Sequence, residues 1–279
     1  MIERAGRVEG KVAIVTGAGS TPGPGVGTGK ACAIDLAREG AKVVLVDIEP
    51  DRAEETRKLI EQDGGEAIVV GADATKAGEC EAVVQAALDE WGRLDVLVNN
   101  IGRAAVGTVV TISEEEWDRS LDINLRTTFL MSKYAVPAMI DAGGGSIVNM
   151  CSISAVRGDG TAAYSAAKGA MLALTVDMAY SHGRDAVRVN AIAPGHITTP
   201  MVHSVQQPGP QADFMDAMRR EAGLLGTAGD GWDVAHAVTF LASDEARWIT
   251  GVLLPVDSGV LSVTPLLMAG HLRGVPAPE

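Results

Sequence analysis

The sequence predicts a single doubly wound α/β domain spanning residues 1–279, built on a parallel sheet of about seven strands. Three observations predict it. Short aliphatic runs alternate with helix-patterned stretches along almost the whole chain. The strand runs are nearly continuous in apolar residues, as in Lys42–Asp47 with Val43, Val44, Leu45 and Val46 at its centre, which is what strands covered on both faces require. The first run empties into a glycine-rich turn that opens a helix, the strand–turn–helix unit of a dinucleotide-binding fold.

The elements follow in order. Val12–Thr16 is the first strand, and a helix from about Gly29 to Arg38 is stopped by Gly40. After the strand Lys42–Asp47, residues 51–63 read as a charged surface helix ending at Gly64 and Gly65. Ala67–Val70 is the third strand, Gly78–Glu90 the third helix and Leu94–Val98 the fourth strand. Ser113 with Glu116 forms a capping box that starts a long helix to about Ala142, with Pro137 inside it as a kink site. Gly145–Met150, Ala162–Ser181 and Val187–Ile192 continue the alternation. Residues 200–228 read as irregular, a helix near Trp232–Ala242 follows, and a strand around Val252–Val256 closes the pattern.

Bulk properties narrow the classes. With 47% hydrophobic and 21% charged residues the chain is an ordinary globular protein. At this length it buries roughly three quarters of its unfolded surface and needs no staples. Cys32, Cys80 and Cys151 fall in no metal or redox spacing, which suits a reducing cytoplasm. A net charge of −13 repels phosphate backbones, so nucleic acid is not an expected partner. No apolar run reaches the roughly 20 residues of a membrane span, and Met1 to Gly10 lacks a signal-peptide core, so no membrane is expected. His182, His196, His203, His236 and His271 show no ligand spacing, and no catalytic metal is predicted.

The glycine-rich turn runs from Thr16 to Lys30. Glycine lets the backbone approach a pyrophosphate, and the following helix offers free N–H groups and the positive end of its dipole. A magnesium-binding P-loop is excluded because Ala31 follows Gly29-Lys30 where Ser or Thr is needed. Asp47 ends the second strand 18 residues after Gly29. A carboxylate there bonds the adenosine ribose hydroxyls and repels a 2′-phosphate, which selects NAD over NADP.

With that turn placed, residues 8 to 260 resemble the short-chain dehydrogenase/reductase family. Thr16, Gly17, Gly27 and Gly29 resemble the family's T-G-x-x-x-G-x-G, with an insertion of about six residues, Thr21–Val26. Asp73, followed by Ala74, matches the acid set beside adenine. Asn99-Asn100-Ile101-Gly102 is similar to N-N-A-G, placing Asn100 and Gly102 at the cofactor, and Asn124 matches a catalytic asparagine. Tyr164 and Lys168 form Y-x-x-x-K, about one helical turn apart on one face. Ser152 matches the substrate-orienting serine, with Ser154 as an alternative; Cys151 reads as a small buried residue. Pro194, Gly195, Ile197 and Thr199 resemble P-G-x-I-x-T, the segment that holds the nicotinamide carboxamide.

The resemblance implies an NAD-dependent alcohol dehydrogenase or ketoreductase working as a homotetramer. Tyr164 would exchange a proton with the alcohol oxygen, its pKa drawn towards neutrality by the Lys168 ammonium and the positive nicotinamide. Ser152 would hold the substrate oxygen, Lys168 the nicotinamide ribose, and Asn124 a water. A 3-oxoacyl-thioester ketoreductase shares these motifs, but Asp47 and the acidic charge oppose it. An enoyl reductase is disfavoured by the Tyr–Lys spacing. A non-catalytic dinucleotide sensor is the reading from another class, and it is opposed by the presence of both Tyr164 and Lys168.

A lid segment at about 200–229 carries Met201, Val202, Phe214, Met215, Met218, Leu224 and Leu225, suiting an apolar or cyclic secondary alcohol. Gln206 and Gln207 read equally as substrate contacts or as solvated. A C-terminal extension at about 260–279, with Pro265, Leu266, Leu267, Met268 and Leu272, is expected to dock on a neighbouring subunit. The insertion Thr21–Val26 either lengthens the loop over the adenosine or decorates the edge.

Overall fold

In the computed structural model β1 (Val12–Thr16) is buried at every position, and it forms the centre of the sheet. The structure describes residues 6–200, 202 and 209–263. Around β1 stand β2 (Lys42–Asp47), β3 (Ala67–Gly71), β4 (Val96–Asn99), β5 (Gly145–Met150), β6 (Val187–Pro194) and β7 (Leu253–Val256). They form a seven-stranded sheet in the order β3-β2-β1-β4-β5-β6-β7, parallel at every pairing. The chain order reverses between β1 and β4. A crevice therefore opens at the carboxyl ends of these strands, the place where such sheets hold ligands.

Alternation along each strand divides the core into two layers. Ala13, Val15, Val43 and Leu45 face one helical layer with α1 (Thr28–Arg38) and α8 (Gly231–Ala242). Ile14, Val44, Val46 and Leu97 face the other, with α3 (Ala77–Trp91) and α5 (Thr127–Asp141). Each such aliphatic side chain contributes about 1.5–3 kcal/mol on full burial, so both layers are needed to hold the sheet. The remaining helices are α2 (Pro50–Gln62), α4 (Glu114–Leu121), α6 (Ala162–His182) and α7 (Pro210–Glu221).

Three details differ from the sequence reading. The long helix after Ser113 runs on to Asp141 but is not α-helical throughout: a π-helical turn, Asp122–Arg126, joins α4 to α5. Pro137 lies inside α5 without ending it. Ser113 does accept the Glu116 N–H at 3.1 Å, but the Glu116 carboxylate is taken by the Arg103 guanidinium, so the reciprocal half of the box is missing. A complete box instead starts α8, where Asp230 and Asp233 each accept from the other end of the turn. Finally, the segment read as irregular contains α7, begun by Pro210 at its first turn. Met201, His203, Gln206, Gln207 and the tail residues Pro265, Leu266, Leu267, Met268, Leu272 and His271 lie outside the described residues.

Candidate active site

The turn after β1 is held open for a ligand by side chains that leave no room for a Cβ. Gly17 has φ +64°. A Cβ on Gly29 would sit 2.0 Å from the Gly17 carbonyl oxygen and 2.4 Å from Asn100 Nδ2, so only glycine fits. Asn100 is the clamp. Its Nδ2 donates to the Thr16 and Gly17 carbonyls at 3.0 and 3.1 Å, and its Oδ1 accepts from Thr28 Oγ1 at 2.7 Å. Thr16 Oγ1 in turn accepts the Asn100 N–H at 3.0 Å. One side chain therefore ties β1, the start of α1 and the end of β4 together.

At the outer end of the crevice Asp47 Oδ2 accepts the Gly19 N–H and Oδ1 the Glu49 N–H, both at 3.0 Å. Arg52 also lines this end, paired with Glu49 at 3.0 Å. Asp73 accepts from Thr75 Oγ1 at 2.7 Å and pairs with Lys76, and the Thr75 hydrogen bond holds its carboxyl below the usual range. The insertion Thr21–Val26 neither stands clear of the fold nor lies on the adenosine side alone. A Cβ on Gly23 would meet Pro200 at 3.5 Å, and one on Gly25 would meet the Thr198 carbonyl at 3.7 Å. The insertion reaches across the crevice to the segment after β6.

The inner end is built from α6 and the loop after β5. Lys168 is buried, its Nζ donating to the Met150 carbonyl at 2.7 Å and lying 5.6 Å from the centre of the Tyr164 ring. Burial pushes Lys168 down to about 8 and Tyr164 up to about 12. Desolvation of the phenolate is the largest influence on Tyr164, and the same burial weakens Lys168 as a cation. The Ser152 hydroxyl pulls the Tyr164 pKa down, but by less than burial raises it, and Cys151 is a buried thiol whose pKa burial raises.

Asn124 sits on the π turn, fully buried, one layer behind the crevice wall. Its Oδ1 accepts the Arg103 N–H at 2.9 Å, while Nδ2 donates to the Arg103 and Ser120 carbonyls at 3.0 and 2.9 Å. A Cβ on Gly102 would meet Asn124 Oδ1 at 3.2 Å and Lys168 Nζ at 3.5 Å, so these three groups converge. The amide is committed chiefly to anchoring the chain after β4. A π turn is a frequent device for aiming one side chain out of helical register.

The segment after β6 forms the remaining wall. Gly195 packs its Cα side against Asp257, where a Cβ would come within 2.7 Å. Thr198 N–H donates to the Gly229 carbonyl at 2.8 Å, and Thr199 is buried. His196 lies between this cleft and a smaller cavity of about 220 Å³, its pKa lowered by burial and then by Arg219.

A single cleft of about 490 Å³ thus gathers Gly17, Gly27, Gly29, Asp47, Asp73, Ala74, Asn100, Gly102, Ser152, Tyr164, Lys168, Pro194, Gly195, Ile197 and Thr199. Of the site residues read from the sequence, Asn124 is the one that does not line it. Arg103, Asp159 and Arg219 were missed, because a lone charged residue in a loop or lid carries no spacing signal. No group of three or more potential metal ligands occurs among the described residues, and no helix there is long and apolar enough to cross a membrane.

Residues 25–261 match a family model described as enoyl-(acyl carrier protein) reductase, a short-chain dehydrogenase/reductase family model. The chain belongs to the short-chain dehydrogenase/reductase family. It is 35% identical to the 3-oxoacyl-(acyl-carrier-protein) reductase of Thermotoga maritima, over 91% of this chain and 99% of that protein. A structure from Burkholderia xenovorans, described as a short-chain dehydrogenase/reductase, superposes with a TM-score of 0.90 at 39% identity, covering 93% of this chain and all of the other. The carveol dehydrogenase of Mycobacterium avium, solved with NAD, gives a TM-score of 0.84 at 32% identity over 92% of this chain and 100% of that one. Membership makes the protein an oxidoreductase with a small-molecule substrate.

Proposed function

We propose that this short-chain dehydrogenase/reductase is an NAD-dependent enzyme interconverting a secondary alcohol and its ketone, with an apolar or cyclic substrate. The observation that carries the reading is the pairing, within one cleft, of Asp47 at one end and Tyr164 with the buried Lys168 at the other. The glycine cradle at Gly17 and Gly29, which a Cβ would fill, fits a pyrophosphate. The carveol dehydrogenase solved with NAD supports the same cofactor.

When bound, the nicotinamide supplies or accepts the hydride. Asp47 would hold the adenosine ribose hydroxyls, Asp73 and Ala74 the adenine edge, and Pro194, Gly195, Ile197 and Thr199 the carboxamide. Tyr164 exchanges the proton at the substrate oxygen, and Ser152 orients that oxygen. Lys168 binds the nicotinamide ribose and supports Tyr164. Asn124 holds the Arg103 backbone in place beside Gly102 and Lys168. Ile123, Met150, Ile197 and Val202 line the cleft and offer an apolar surface for the substrate.

Exposed Phe129, Val176, Tyr180 and Trp248 support a homotetramer, which light scattering tests: a monomer would overturn it. A cytoplasmic location belongs to the same reading. The deciding experiment is fluorescence titration with NADH and NADPH on wild type and Asp47→Ala, followed by a panel of secondary alcohols with NAD. Wild type should prefer NADH by at least tenfold and the variant should lose that preference. Tighter NADPH binding by wild type would overturn the cofactor and favour ketone reduction on an acyl thioester.

A further inference from the structure

The insertion Thr21–Val26 leaves the glycine-rich turn and returns to it at almost the same point. A Cβ on Gly27 would stand 3.4 Å from the Ser20 Cβ and 3.0 Å from its Oγ, so the two ends of the insertion nearly touch. An excursion with closed ends lengthens a loop without moving what flanks it. Its sequence is Thr-Pro-Gly-Pro-Gly-Val. Pro22 and Pro24 fix φ at two positions and narrow the conformations open to the unfolded segment. Gly23 and Gly25 take φ of +147° and +86°, which side chains rarely adopt. Residues 22–25 are exposed, yet the arch is seated at its far side. A Cβ on Gly23 would meet the buried Pro200 at 3.5 Å, and one on Gly25 the Thr198 carbonyl at 3.7 Å. Among the described residues no backbone hydrogen bond ties 21–26 to that segment, so the seat is one of shape and can be left.

The two banks that the arch joins both line the cleft: Ser20, Thr21 and Gly27 on the turn, and Thr199, Pro200 and Val202 after β6. A dinucleotide reaching from Asp47 to Tyr164 runs past the glycine cradle, beside the place where the banks meet. We propose that Thr21–Val26 is a strap that closes this middle part of the cleft, so that NAD enters and leaves only when the strap lifts off Pro200. This rests on the reading of the cleft as an NAD site. A gate that lifts as readily with the cofactor bound as without it slows entry and exit by one common factor. Its mark is therefore a change in both rates at nearly constant affinity, whereas a binding contact changes chiefly the release rate and the affinity with it.

Deleting Thr21–Val26 joins Ser20 to Gly27 and leaves Thr16-Gly17-Ala18-Gly19-Ser20-Gly27-Thr28-Gly29, the uninterrupted family pattern. Stopped-flow fluorescence gives the NADH association rate and, after a chase with excess NAD, the dissociation rate. The deletion should raise both at least tenfold while Kd stays within threefold. Val26 packs at the edge of the core, so a second variant keeps the full chain. In Gly23→Cys/Pro200→Cys the Cβ spacing of 3.5 Å suits a disulfide, and the native Cys32, Cys80 and Cys151 are buried. The strain of a side chain at position 23 is present in both redox states, so the reduced form is the control. Oxidation should slow NADH release at least tenfold, and dithiothreitol should restore it. Rates equal to wild type in the deletion, or equal in the oxidised and reduced cross-link, would overturn the strap. Faster release with unchanged entry in the deletion would do the same, since that marks a contact and not a gate. If wild type binds neither NADH nor NADPH, the cofactor reading falls and takes the strap with it; NADH binding at rates indifferent to the insertion removes the strap alone.

Discussion

The two ends of the cleft are specified in opposite ways. The dinucleotide end is defined by exclusion: Gly17, Gly29 and Gly102 sit where Asn100, Asn124 and Lys168 allow no Cβ, or barely one. The catalytic end is defined by direction: Ser152, Ser154 and Asp159 form a line in which each proton has one place to go. Steric exclusion is short-ranged and unforgiving, so it tolerates no side chain, yet it tolerated a six-residue insertion a few residues away. Directional bonding tolerates changes of size but not changes in who donates. The lesson is that similar motif density hides two kinds of fragility.

Breaking the directional end should have the larger effect. Tyr164→Phe removes the proton donor with no change in fold, and steady-state assays on any substrate found should show kcat/KM down by about 10²–10⁴, the range for loss of a general acid–base group. NADH titration should be unchanged in the same variant; a lost affinity would mean that Tyr164 serves binding instead. Breaking the steric end comes next. Gly29→Ala forces a methyl within 2.0 Å of the Gly17 carbonyl, so backbone must move. Overpacking of this kind costs about 1–3 kcal/mol, and thermal unfolding together with NADH titration should show lower Tm and weakened binding.

The smallest effect sharpens the comparison, because Lys168 touches both ends. Its pKa is depressed to about 8 from the ordinary 10.5, so burial disfavours the charged form that the unfolded chain carries. Between these values the unfolded state binds more protons, and stability rises with pH. Lys168→Met should therefore be more stable than wild type at pH 7. The gain is full below the folded pKa and is lost as pH climbs from about 8 towards 10.5. Urea unfolding at pH 7 and pH 9.5 checks the sign; a constant difference would mean that the gain is packing alone.

Most of the sheet was legible because strands covered on both faces are apolar through their centres, as Val12–Val15 and Val43–Val46 are. Asp47, Tyr164 and Lys168 were legible because their spacing from a strand end or along a helix is itself the signal. The tertiary exceptions were not. Nothing in Asp122–Arg126 marks a π turn, since the turn accompanies bonds from Asn124 to a distant loop. Glu116 has the spacing of a capping residue, but the Arg103 guanidinium offers it a charged partner. Asp159 stands between two glycines and reads as an ordinary turn until Ser154 is seen beside it. The helix α7 hid among glycine, proline and glutamine, with Pro210 its sole start signal.

The π turn has one more consequence, and it concerns what this chain can afford to lose. From Glu114 to Asp141 the backbone is one unbroken rod with an extra residue wound into its middle. A π turn winds about one more residue into the rotation that an α turn makes, so deleting one position there would let it relax to α-helix with Leu130, Met131, Ala135 and Met139 still over the sheet, and what would be lost is the aim of Asn124. Substitutions along this rod are local events. The loss of that one residue would spare the core layer and misplace a single amide, so the count of residues in the rod is as much a part of the design as their identity.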